Sequence, residues 1–516
     1  MEIEQPISRF QKTPPVAMVS TSDIEAESDN SSFYNYKSHS DSEVIKLLKR
    51  IISNSYRLID SISGFSNHLL LSPYGDYNFQ QLQEILRLLE AKKIVKRSAF
   101  GDTRYNDAPF FYRLDIATNH EKGVTDGIKL EKMIGHCFGK NAAEVFSKAI
   151  GEILERYFLT IYHKKNLLRS SLSALKNKKL PALDLNLLAG FSEEQKKNNP
   201  RRQFNEESIF YWEKAKRVLT GETTYLPAQL IYWTYIRDEL EPFLCEGNTN
   251  GAGGFFTKEG AILSGIYELI QRDSFLIYWL NKLTPKTIDP KTIPDEDFQN
   301  LLEESKRYGF EIYCLNITAD TGAPAFAVIV SDSSGKSPRF CLGAGCQADP
   351  VKALRRALEE AWSVYYWMRP WPYHPVLTGD YKPFRRGIEQ DERLRLWANP
   401  EMADYFKFFI SGKKEPFDST DFNYPKEFAS QKEELDFLAR RVESLGPGYE
   451  VYYYQPQHPL LSEVGYYSAQ VVVPQFIPLY IRENNAPLSS RRLKEAPSKL
   501  GFKAAKEFNP LPHPFP

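Results

Sequence analysis

Apolar positions recur every three or four residues in "SEVIKLLKRIISNSYRLIDSI", which begins at Ser42. They do so again in "NFQQLQEILRLLEAKKIVKR", which Asn78 would cap. Between these two helices "HLLLSP" reads as a short strand. The three predict a small α+β region over residues 43–110. Further on, "AAEVFSKAIGEILERYFLTIYH" and "DPVKALRRALEEAWSVYYWM" predict amphipathic helices, the second with Asp349 and Pro350 at its start. "TKEGAILSGIYELIQRDSFLIYWLNKL" and "QKEELDFLARRVESL" predict two more. "TGETTYLPAQLIYW" reads as a turn and strand, and "FEIYCLNIT" with "APAFAVIVSD" as a strand pair. "YEVYYYQ" and "AQVVVPQFIPLYI" read as later strands. Helices alternate with strands that are not obviously parallel, so the expected class is α+β with large mixed sheets.

The pattern breaks in three places. Residues 1–42 are polar and rich in Ser, Asp, Glu and Asn, which predicts disorder. The stretch near 163–207 is charged and turn-rich, and reads as an insertion or mobile linker. It interrupts a core expected over 111–400, which a C-terminal part over 401–516 follows. That part closes on "EFNPLPHPFP", where Pro510, Pro512, Pro514 and Pro516 alternate with other residues. Such a run cannot be a helix or a central strand and favours a stiff extended rod.

Composition adds exclusions. Lys+Arg and Asp+Glu both number 66, which gives no support for a nucleic-acid or acidic-membrane partner. No apolar run approaches the roughly 20 residues of a membrane span, and the N-terminus lacks a basic-then-apolar signal pattern. Cys137, Cys245, Cys314, Cys341 and Cys346 form no CxxC pair, so reduced, buried, inert thiols in a cytoplasmic protein are expected.

Three helical stretches carry chemistry. Lys148, Glu152, Glu155 and Arg156 fall within about a 100° arc of one helix. Glu268, Gln271 and Arg272 repeat the spacing, and Arg356 and Glu360 lie one turn apart on a third helix. Paired carboxylates beside arginine can hold magnesium and orient phosphate; each face alone reads more readily as a solvated surface laced with ion pairs. "GNTNGAGG" before the second helix offers backbone N–H groups to a phosphate, though no Gly-Lys-Ser/Thr follows it.

Taken in order, "GHCFGKNAAEVFSKAIGEILERYF", "TGETTYLPAQL", "GNTNGAGGFFTKEGAILSGIYELIQRDSF", "GAGCQADPVKALRRALEEAW" and "PLPHPFP" resemble the landmarks of the YcaO superfamily. Within it they are most similar to the cyclodehydratase D proteins of thiazole/oxazole-modified peptide biosynthesis, of the microcin and streptolysin-S type. The resemblance covers roughly residues 110–516. It implies mixed sheets with ATP-binding helices, and cyclodehydration of Cys, Ser or Thr in a ribosomally made precursor peptide through ATP-dependent phosphorylation of a backbone amide oxygen. It implies ATP held by Glu152, Glu155, Arg156, Glu268, Arg272, Arg356 and Glu360, with Mg2+ on Glu152, Glu155 and Glu268. It also implies a catalytic carboxylate on Pro516, carried into the active site by the proline rod. The implied partners are the precursor peptide, a separate leader-binding ubiquitin-activating-like (E1-like) C protein and, where rings are oxidised further, a flavin dehydrogenase. A homodimer or hetero-complex is implied as well.

The second motif departs from the family pattern. Gly253 stands where serine is usual, Phe256 for asparagine, Gly260 for glutamate, Ser264 for glutamine, and Gln271 for the second glutamate. Glu259 is one residue off register, which turns it about 100° away. Lys148 stands where some relatives have serine. Two further readings therefore stay open: a catalytically impaired scaffold or peptide-binding subunit, and a related amide activation such as thioamide formation.

Overall fold

The computed structural model describes residues 71–72, 75–76, 79–102, 108–118, 126, 134–375, 381–385 and 387–516. These belong to a unit running from Leu69 to Pro516. The disorder expected over 1–42, the helix expected from Ser42 and the Asn78 cap lie outside the described residues.

The first strands, β1 (Leu71–Ser72) and β2 (Gly75–Asp76), form a short antiparallel pair. Helix α1 (Phe79–Ala91) buries Leu82, Ile85, Leu86 and Leu89, the spacing of one apolar stripe. Strands β3 (Val95–Asp102), β4 (Tyr112–Thr118) and β5 (Ile134–Gly139) make an antiparallel sheet. The domain boundary expected near residue 110 falls inside this sheet, because β3 and β4 pair from Val95↔Thr118 to Asp102↔Tyr112. Helix α2 (Ala142–Phe158) starts where the Asn141 side chain accepts the Glu144 N–H. Its Val145, Phe146, Ala149, Ile150, Ile153 and Leu154 share one core cluster with α1 and the sheet.

The charged stretch over 163–207 is folded, not a mobile linker. Strand β6 (Leu168–Ser171) is followed by α3 (Leu172–Asn177) and α4 (Glu193–Asn198). Ser171 caps α3, and Ser192 with Gln195 makes a capping box on α4. Leu172, Leu175, Leu183 and Leu185 supply the buried apolar surface that the charges mask in the sequence. Strand β7 (Ile209–Arg217) pairs with β6 and with β8 (Thr223–Pro227). Strand β9 (Ala252–Phe255) leads into α5 (Lys258–Leu280), capped by Thr257.

Next come β10 (Lys286–Ile288), α6 (Glu296–Arg307), β11 (Glu311–Asn316), β12 (Ala325–Ser331) and β13 (Phe340–Cys346). The expected pairing of β11 with β12 is present and antiparallel. Every residue of β12 and β13 is buried, which is why both read as unbroken apolar runs. Helix α7 (Pro350–Met368) lies on them, with Asp349 as its cap and Pro350 in its first turn. Helices α8 (Gln390–Ala398) and α9 (Ala403–Ile410), strand β14 (Lys414–Glu415) and helix α10 (Gln431–Glu443) follow. Strand β15 (Tyr452–Tyr454), α11 (Pro459–Glu463), β16 (Tyr467–Val472) and α12 (Arg492–Lys499) complete the order.

Two larger sheets result: β13-β12-β11-β10-β14, mixed because β10 pairs parallel with β14, and β6-β7-β15-β16-β9 with β8 also on β7, whose strand pairs are antiparallel. Helix α5 packs on β9 and β16 of the second sheet and also touches β13 of the first. Helix α2 reaches β9 as well. The three helices singled out in the sequence are thus drawn together by the sheets that carry them.

Residues 505–516 form a strap along the C-terminal half of α5. The Asn509 N–H donates to Leu280 O at 2.7 Å. The indoles of Trp279 and Trp397 donate to the carbonyls of Leu511 (3.2 Å) and Pro512 (2.9 Å), and Tyr381 Oη donates to Pro510 O (3.0 Å). Phe515 is buried, its ring 5.0 Å from that of Phe275. The alternating prolines suit this seat, because each removes a backbone N–H that would otherwise be buried without an acceptor.

Candidate active site

Glu152 and Arg156 lie one turn apart on α2, joined at 2.6 Å between Oε1 and Nη2. Glu268 and Arg272 repeat the arrangement on α5 at 2.9 Å. On α7, Glu360 takes the backbone N–H of Ala344 at 2.7 Å, and Arg356 stands one turn before it. The close approach of α7 to β13 makes that bond. A Cβ on Gly345 would lie 2.1 Å from Ala353 O, and one on Gly343 would lie 2.3 Å from Ala361 N. Only glycine lets the helix backbone settle on the strand there.

The seven residues expected from the sequence come together electrostatically. Burial pushes the Glu155 carboxyl up to about 8, with Glu268 across from it adding to the push and Arg156 opposing it. Burial also raises Glu268, against the pull of Arg272 and of the Gly251 N–H at 2.7 Å. Glu360 is raised by burial, against the Ala344 N–H, Arg356 and Arg272. Burial lowers Arg356, while Glu360 and Glu359 support its charge. Glu268 thus lies within electrostatic reach of both Glu155 and Glu360, and burial raises all three carboxyls. Glu155 makes no side-chain hydrogen bond among the described residues, and the Nε of Arg272 is buried without an acceptor.

Beyond those seven residues the site has further neighbours, of which the sequence had marked Lys148 and the glycine loop but not Glu359 or the role of Cys137. Asn250 accepts from Arg272 Nη1 at 2.6 Å through its Oδ1, and its own amide donates to Leu479 O at 2.7 Å. Gly251 places its N–H on Glu268 with φ +77°, a backbone region open to glycine. Lys148 bridges α2 and α7: it contacts Glu144 and lies 2.9 Å from Glu359. Burial works against the Lys148 charge, but Glu144 and Glu359 outweigh it and hold the ammonium. Cys137 on β5 donates its thiol to Glu152 Oε2 at 3.2 Å. The doubled acid at 359–360 was the available signal for Glu359; nothing local marked Cys137.

The glycine loop does not present an open phosphate cradle. Residues 252–255 are strand β9, paired with β16 from Tyr467↔Phe255 to Gln470↔Ala252. A Cβ on Gly253 would sit 2.2 Å from Ala261 O, and one on Gly260 would sit 2.3 Å from the Phe255 ring. Phe256 packs edge-on against Tyr466 at 5.1 Å. Three of the positions where polar residues are usual in the resembling family, Gly253, Phe256 and Gly260, are used here for packing. Gln271 is buried on α5, and Glu259 lies in that helix's first turn.

Pro516 is half-buried at the end of the strap. The strap runs back along α5 from Leu280 toward Phe275, so its direction is toward Arg272. Burial holds His513 neutral, with the charges of Arg393 and Arg272 adding to that effect.

Comparison with known proteins bears on this arrangement. Residues 135–477 match the family model described as YcaO cyclodehydratase, ATP- and Mg2+-binding. A solved heterocyclase in complex with substrate and cofactor superposes with TM-score 0.68 at 22% identity, covering 85% of this chain and 57% of that one. The YcaO protein of Methanopyrus kandleri, bound with AMPPCP and Mg2+, gives TM-score 0.54 at 16% identity, covering 78% and 92%. At these identities the likeness is one of fold. A Methanothermobacter thermautotrophicus protein described as uncharacterised is 29% identical over 150 residues, 29% of this chain and 39% of its own length. The chain thus spans well under two thirds of the heterocyclase and of that relative.

Proposed function

The chain belongs to the YcaO family, and from that membership we propose that it is an ATP- and Mg2+-dependent cyclodehydratase that converts Cys, Ser or Thr of a ribosomally made precursor peptide into azolines. The observation that supports this reading is the convergence of three acid–arginine helix faces on carboxyls that burial raises. Those residues fit the cofactors of the family. Mg2+ takes few protein carboxylates and completes its shell with water and phosphate. Among the described residues no group of three His, Cys, Asp or Glu is placed to hold a cation by itself, so water and phosphate would have to complete the shell.

In this reading the metal's carboxylates are drawn from Glu152, Glu155 and Glu268, one or two of them to a cation, while Arg156, Arg272 and Arg356 face the phosphates. The unpartnered Nε of Arg272 is a donor that a phosphate oxygen would satisfy. Glu360, held by the Ala344 N–H, stands beside Arg356 and supports its charge. Bound ATP would supply the phosphoryl group that turns a poor amide oxygen into a leaving group. The strap would present the Pro516 carboxylate as the base that removes the amide proton, with little ordering left to do at the moment of reaction. The precursor peptide and a separate leader-binding protein are the proposed partners.

Mass spectrometry of the precursor peptide tests the activity. Incubation with protein, partner, ATP and Mg2+ should remove one water per ring, and Glu155→Gln should abolish the loss. No water loss with every component present, or loss that needs no ATP, would defeat the reading. The packed state of Gly253, Phe256 and Gly260 favours a second reading, an impaired subunit that binds without turnover. Tight nucleotide binding with no peptide-stimulated hydrolysis would select it.

A further inference from the structure

The Glu152 carboxylate is held at both oxygens. Arg156 takes Oε1 at 2.6 Å, and the Cys137 thiol donates to Oε2 at 3.2 Å. Gly135 is two residues before Cys137 and so projects to the same face of β5. A Cβ there would stand 3.0 Å from Glu152 Oε2, so the strand offers a slot fitted to this carboxylate. Glu155, three residues on, is unlike it, with no side-chain hydrogen bond among the described residues. One acid of the motif is oriented in advance and the other waits for a cation.

We propose that Cys137 is a positioning residue of the nucleotide–metal site: its thiol fixes the plane of the Glu152 carboxylate and thereby the direction of the lone pairs left for a divalent cation. A carboxylate has about four acceptor directions. Two are spent here, on groups from two different elements, so the remaining two are set by the fold. This rests on the assignment of Glu152 to the metal. Groups that orient a metal's carboxylate ligands typically contribute about tenfold or more to metal affinity.

The test uses Mn2+ as a spectroscopic probe, titrated by electron paramagnetic resonance into the full chain with a non-hydrolysable ATP analogue. Cys137→Ala should weaken Mn2+ binding about tenfold, with the thermal midpoint close to wild type. Cys137→Val, which removes the donor without leaving a cavity, should weaken it similarly. Cys137→Ser keeps a donor and should restore affinity to within about twofold. Wild-type affinity in the Ala and Val variants, or a Ser variant no better than Ala, would overturn the proposal. Glu152→Ala separates the two levels. If it binds Mn2+ as wild type does, the metal assignment itself fails. If it loses Mn2+ while Cys137→Ala does not, only the role of Cys137 fails.

Discussion

Phe515→Ala should destabilise the whole protein, although it lies one residue from the end of the sequence. Its ring is 1% exposed and packs 5.0 Å from Phe275 on α5. Truncating a buried phenylalanine to alanine costs about 3–5 kcal/mol, a large part of the roughly 5–15 kcal/mol that holds a typical domain together. A frayed terminus would cost nothing measurable. Appending Gly-Gly after Pro516 perturbs the strap differently. Every seat contact, from the Asn509 N–H on Leu280 to the Phe515 ring on Phe275, stays in place. The terminal carboxylate moves on by about 7 Å at the reach of an extended chain. Scanning calorimetry should therefore show a fall of several degrees for Phe515→Ala and none for the extension. Peptide mass spectrometry should show lost cyclisation in both, since a misplaced catalytic group costs orders of magnitude. A Phe515→Ala protein as stable as wild type would refute the buried seat. An extended protein that cyclises at the normal rate would refute the role of the terminus.

Glu483 is fully buried beside Arg393, His513, Tyr480 and Tyr381, and burial raises its carboxyl to about 7 against the pull of Arg393. The folded state thus holds a proton that the unfolded chain releases near 4.5, so this group's contribution to stability is lost as pH rises toward 7. Glu483→Gln should stabilise the protein by about 3 kcal/mol at pH 8 and by little near pH 4.5, read from thermal midpoints across pH; an equal gain at both pH values would contradict this. Gly345→Ala should fail to fold or lose several degrees, since its Cβ would meet the Ala353 carbonyl at 2.1 Å, whereas Gly101→Ala, with open space around it, should be tolerated. Gln271→Glu adds a buried carboxyl to a helix face already rich in raised acids, so it should lower the midpoint without Mg2+ and recover with it; a loss that Mg2+ does not reverse would place Gln271 away from the metal.

The acid–arginine faces of the candidate site were legible because helical spacing is local: Glu152 and Arg156, Glu268 and Arg272, and Arg356 and Glu360 each announce a shared face within a single turn. What was not legible depends on partners far along the chain. The glycines at 251–254 look like an open loop until β16, some two hundred residues later, turns 252–255 into a strand. The 163–207 stretch looks like a linker because its charges outnumber its leucines, yet β7 gives β6 a partner and the leucines give it a core. The proline strap reads as a stiff rod, but its seat is built from side-chain donors on Trp279, Tyr381 and Trp397, which no periodicity in the strap reveals. Cys137 reads as one more inert thiol until β5 is laid beside α2.

Isothermal titration of ATP into the protein, with and without Mg2+, tests the central claim most directly. The account predicts binding that requires Mg2+ and weakens about tenfold or more in Glu155→Gln. The stability of that variant should equal or exceed wild type, since it loses a carboxyl that burial and Glu268 disfavour. No Mg2+-dependent binding at millimolar ATP, or binding indifferent to Glu155→Gln, would contradict it.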